Sequence, residues 1–172
     1  MKTNAMRTVL FAFLLGLFCR NVLASPDMDP VEIVRNAMIE RLLDGNSARL
    51  KLETPVDMAF VKKIAPKRLG SNIVASATGI AGVNFRFESL HQDLQDLPHV
   101  EIWVFSYRNN KTALRNAKTI RGLCRGECFR SKLLTFFSYT VVSNKIVIIF
   151  TENSGDESIV DFVKSVPKIF DK

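Results

Sequence analysis

Apolar positions recur along this chain with two periods, and the switches between them mark its elements. In "DPVEIVRNAMIERLLDG" the period is helical, with Val31, Val34, Met38 and Leu42 forming one stripe. Asp29 suits the N-cap, Pro30 the first helical position, Glu32 the N3 position and Gly45 the residue past the end. "ARLKLE" reads as a short strand. "TPVDMAFVKKIAP" repeats the start signals with Thr54, Pro55 and Asp57, points Val56, Phe60 and Ile64 inward, and is expected to stop at Pro66.

The period then shortens to two. In "SNIVASATGIAGVNFRFESL", Ile73, Ala75 and Ala77 alternate on one arm and Val83, Phe85 and Phe87 on another, which predicts a hairpin bending at Gly79 and Gly82. "HQDLQDLP" is a connection. "HVEIWVFSY" is a strand with Trp103, Phe105 and Tyr107 on one side. "NNKTALRNAKTIRG" returns to the helical period, with Ala113, Leu114, Ala117 and Ile120 as its apolar side. "KLLTFFSYTVV" and "KIVIIFTE" form a second hairpin around Ser143 and Asn144. "KIVIIF" is apolar on both sides and is expected at the centre of the sheet. "SGDESIVDFVKSV" is a last helix, with acids in its first turn, Lys164 near its end and Pro167 beyond. The pattern predicts a single α+β domain: a mainly antiparallel sheet of about five strands with helices packed on one face.

The first residues follow a different logic. Lys2 and Arg7 precede an eleven-residue apolar run, Val9 to Cys19, and Val22 and Ala24 fit the −3 and −1 positions of a cleavage site before Ser25. This is the layout of a secretory signal peptide over residues 1–24, with the folded domain over 25–172. A membrane anchor would need about 20 apolar residues, and Arg20 and Asn21 interrupt this run. Lipidation at Cys19 is disfavoured by the bulky Phe18 before it. Cleavage leaves 148 residues, enough for one core, and lowers the net charge from +7 to +4. It also leaves two cysteines, Cys124 and Cys128. In an oxidising compartment an even pair predicts a disulfide. A five-residue ring restricts the unfolded chain by only ~2 kcal/mol, so its use would be to fix a turn, aided by Gly122 and Gly126. The redox motif is C-x-x-C, and this spacing is C-x-x-x-C.

Charge is uneven. Between Ile102 and Thr151 nine cations face one acid, Glu127. Lys111, Arg115 and Lys118 share one helical face, and Arg121, Arg125, Arg130 and Lys132 surround the cysteine ring. The expected binding surface is therefore Lys111, Arg115, Lys118, Arg121, Arg125, Arg130 and Lys132, with Cys124–Cys128 as its rigid tip. A solvated face that only aids solubility is the plain alternative.

Catalytic chemistry is thin. His91 and His99 fall in no zinc motif. His91 with Asp93 lacks a G-x-S-x-G nucleophile, and Asp93 with Asp96 shows nothing beyond spacing. Glu152, Asp156 and Glu157 lack a calcium-loop pattern and suit a helix start. No phosphate-binding glycine loop appears, and no RNP or helix-turn-helix signature accompanies the sequence pI of about 9.5. The expectation is an exported, periplasmic or secreted binding protein of bacterial type. It would have no catalytic residues, metal or cofactor, no nucleic-acid partner and no membrane span after cleavage. It would dock on an acidic protein in the manner of inhibitors and immunity proteins. The alternatives are an anionic envelope surface, a secretion or assembly component, and, further off, a small hydrolase or thiol-redox enzyme.

Overall fold

The structure, a computed structural model, describes residues 29–88, 97–124, 136–152 and 156–171, with 121–124 followed by backbone alone. The expected signal peptide lies outside these residues. Helix α1 (Pro30–Leu42) begins where Asp29 accepts a hydrogen bond from the Val31 N–H at 3.0 Å. It closes through Asp44 and Gly45, both at positive φ, with the Gly45 N–H reaching back to the Ile39 carbonyl. A short 3-10 turn leads into β1 (Leu50–Pro55). Then come α2 (Met58–Leu69), α3 (Ser71–Ala75), β2 (Gly79–Phe87), β3 (His99–Ser106), α4 (Asn110–Cys124), β4 (Phe136–Val142), β5 (Lys145–Thr151), α5 (Glu157–Ser165) and α6 (Pro167–Phe170).

The five strands form one sheet in the order β1-β2-β3-β5-β4, every neighbour antiparallel. The expected α+β class and five-stranded antiparallel sheet are what the chain forms. The helices, however, cover both faces of the sheet. One core holds α1, α5 and α6 against Phe85, Val100, Ile102, Val104, Val147 and Ile149. The other holds α2, α3 and α4 against Trp103, Phe105, Ile146, Ile148 and Phe150. Successive residues of a strand point to opposite faces. Because β3 and β5 are apolar at both parities, one helical layer would leave half of those side chains in water. The placement of helices on one face is thereby corrected. β5 is an interior strand, flanked by β3 and β4, and β3 is the middle one.

The first expected hairpin is not formed. Ile73 sits in α3, and β2 runs unbroken through Gly79 and Gly82, pairing with β3 from Gly79↔Ser106 to Arg86↔His99. Gly82 is there for space: a Cβ would lie 3.1 Å from the Ile102 carbonyl oxygen and 3.2 Å from both Trp103 Cδ1 and Val56 Cβ. The second hairpin is formed as expected, turning at Ser143 with φ +56°. Asn144 ties that turn to β3, its side-chain amide donating to the Tyr107 carbonyl at 2.6 Å and its own carbonyl accepting the Tyr107 N–H at 2.9 Å.

Helix α2 departs from its forecast in two ways. It runs through Pro66 to Leu69, and it buries Val61, Ala65 and Leu69, leaving Phe60 exposed and Ile64 half-buried. Asp57 caps the helix, accepting from the Ala59 N–H at 2.8 Å, so Met58 is the first helical residue, three later than Pro55, and Val56 lies outside the helix, where it cannot anchor a stripe through Phe60 and Ile64.

Candidate functional site

Helix α4 carries the expected basic face, and its position follows from its inner side. Ala113, Ala117 and Ile120 are buried against the sheet, the two alanines small enough to let the helix lie close to it. Asn116, 3 % exposed, donates through Nδ2 to Ser76 Oγ at 2.7 Å, and Ser76 Oγ in turn donates to the Asn72 carbonyl. Tyr107 adds a second tie, its hydroxyl donating to the Ile73 carbonyl at 3.1 Å. Burial pushes that phenol up to about 12. At the helix start, Asn109 Oδ1 accepts from the Thr112 N–H and hydroxyl. These contacts fix the rotation of α4 about its axis, and with it the outward direction of its charges.

Lys111, Arg115 and Lys118 are all exposed on the side away from the sheet. No ion pair among the described residues reaches them. The ion pairs that are present lie elsewhere, among them Arg35 with Glu53 at 3.1 Å and Lys51 with Glu88 at 2.9 Å. Leu114, expected on the apolar side, is 48 % exposed and belongs to the outer surface. Its place is a consequence of the Ala113–Ala117–Ile120 stripe, which turns position 114 away from the core.

The rest of the expected surface is only partly within view. Arg121 lies in the last turn of α4, and Cys124 is its last residue. Arg125, Cys128, Arg130 and Lys132 lie outside the described residues, and so does the expected Cys124–Cys128 disulfide. The structure therefore brings Lys111, Arg115 and Lys118 together and leaves the cysteine loop as an expectation from sequence.

A second polar group, not singled out from sequence, gathers at one end of the same sheet face. Asn84 and Glu101 are directly opposed on β2 and β3. Trp103 Nε1 donates to the Glu101 carboxylate, and Asn84 Oδ1 is buried with no hydrogen-bond partner among the described residues. Burial pushes the Glu101 carboxyl above the usual range against the pull of the Trp103 hydrogen bond, with Glu152 raising it further and Arg68 lowering it. Burial lowers His99, where Glu152 opposes and Arg86 assists. The usable signal was the alternation itself: Glu101 shares its parity with Trp103 and Phe105, so a carboxyl stands on an apolar strand face. His91, Asp93 and Asp96 lie outside the described residues. Among the described residues no three His, Cys, Asp or Glu side chains converge in a way that would hold a metal ion. Trp103, Phe105 and Tyr107 are core side chains, with Trp103 edge-on to Phe150 at a centroid distance of 4.8 Å.

No family model, curated protein or solved structure matches the chain. Among the described residues no helix is long and apolar enough to cross a membrane.

Proposed function

We propose that this is an exported, non-enzymatic docking protein that holds an anionic partner against the outer face of α4. The observation that supports the reading is the row Lys111, Arg115 and Lys118: exposed, aligned by a well-anchored helix, and without ion-pair partners among the described residues. Cations on one face repel one another unless a partner neutralises them. An acidic protein site, of the kind that inhibitors and immunity proteins plug, would do so, with the Cys124–Cys128 loop as a pre-ordered tip that loses little entropy on binding. An anionic envelope surface would do so as well, and the exposed Leu114 among the cations favours that second reading.

The test is charge reversal at Arg115 and Lys118. Native envelope fractions should retain the wild-type protein at low salt and release it as salt rises, because exposed charges are screened beyond about 8 Å at physiological ionic strength. The Arg115→Glu, Lys118→Glu protein should be retained at least about tenfold less. Retention that ignores both salt and charge reversal would end the proposal.

A further inference from the structure

The basic face is wider than α4. Helices α2 and α4 pack against each other on the same side of the sheet. In α2 the buried side is Val61, Ala65 and Leu69, so Phe60, Lys63 and Lys67, spaced i, i+3 and i+7, share the opposite side. All three are exposed, Phe60 by 48 %, and Lys62, on the flank of the helix nearer Leu69, is exposed too.

Across the layer formed by α2, α3 and α4 the sequence places eight cations and no acid. The layer on the other side, α1, α5 and α6, holds four cations and four acids. A chain that needed charge only for solubility would have no reason to divide it this way across the sheet. The sorting is between layers that are far apart in sequence, which is why a scan along the chain finds only half of it.

The kind of cation and its company select the partner. Among the described side chains of α2 and α4, five of the six exposed cations are lysines, the residue that protein–protein interfaces tend to exclude. Lysine is a strongly hydrated point charge on a flexible apolar stem, suited to reaching phosphate headgroups while its methylenes lie along an apolar boundary. Phe60 and Leu114, half out of the protein among these lysines, supply side chains that can enter such a boundary. Resting on the reading of α4 as a docking face, we infer that the α2–α4 layer is a docking surface for an anionic phospholipid membrane. Its lysines meet the headgroup phosphates, and Phe60 and Leu114 enter the interfacial region.

The experiment is flotation of the protein with vesicles of equal parts phosphatidylglycerol and phosphatidylcholine, and with phosphatidylcholine alone. The protein should float with the anionic vesicles only, and less as salt rises. Lys63→Glu combined with Lys67→Glu leaves α4 intact and should lower partitioning by about tenfold or more, since each lysine near an anionic leaflet contributes to the attraction. Phe60→Ser should reduce the part of binding that survives raised salt, and Phe60→Ser combined with Leu114→Ser should remove it. Circular dichroism melts on these surface variants confirm that they are folded. Absence of flotation with anionic vesicles overturns the inference, as does wild-type partitioning of the α2 reversal. Retention on poly-L-glutamate without vesicle binding assigns the face to an acidic protein and overturns the lipid partner while leaving the docking reading intact. Failure on both supports removes both.

Discussion

Glu101 carries a proton more readily than a free carboxyl does, chiefly because the fold buries it. The stability consequence has a definite sign. A carboxyl whose folded value is raised favours the folded state fully below its ordinary 4.5, and that advantage is lost as pH climbs from there through the raised value. Glu101→Gln removes the titration and adds an amide N–H donor opposite Asn84, whose Oδ1 lacks one among the described residues. The variant should therefore gain on the wild type in thermal melts as pH rises from 4 toward 7; a variant no better at 7 than at 4 would contradict this. His99 acts in the other direction. Its lowered value makes the folded state lose stability as pH falls below the ordinary 6.5. Gly82 is a steric counterpart to these electrostatic sites. With a backbone carbonyl at 3.1 Å from any added Cβ, Gly82→Ala should cost about 1–3 kcal/mol, measured as a drop in the urea midpoint.

Helix α2 shows how an element can override its own punctuation. Pro66 removes one helical N–H and crowds the carbonyl four residues back, a cost of about 3 kcal/mol in a helix interior. The helix continues because Ala65 and Leu69, on either side of the proline, are buried in the second core. Pro66→Ala should restore the missing donor and raise stability by roughly 1–3 kcal/mol in urea unfolding, with an unchanged or lower midpoint counting against this account. The same competition explains which elements the sequence showed. α1, α5 and the β4–β5 hairpin carried strong local signals, caps and a Ser143-Asn144 turn, and local structure obeyed them. The segment from Ser71 to Gly82 did not. Its glycines mimic a bend, but Gly82 answers to Trp103 and Val56, and α3 answers to the Tyr107 and Asn116 hydrogen bonds, partners tens of residues away. The α4 row of the candidate site was legible because its three cations sit within eight residues. The α2 half was not, since only the shared sheet face joins Lys63 and Lys67 to it.

At the scale of the molecule, the sheet divides a charge-balanced helical layer from one that holds cations alone. Such a layer works against the folded state by self-repulsion, and it does so most when counterions are scarce. Neutralising Lys63, Lys67, Arg115 and Lys118 together to Gln should therefore raise the thermal midpoint by a few degrees at low ionic strength. The gain should close in roughly 1 M salt, where charges interact over only about 3 Å. The same four changes should abolish flotation with anionic vesicles, so stability and binding move in opposite directions. A midpoint that stays level at low salt would show that the cations do not sense one another across α2 and α4. A midpoint that rises while vesicle binding persists would instead separate the repulsion from the docking. Only opposite movement of both readouts, each fading with salt, ties the one-sided charge of this sheet to a surface it is built to meet.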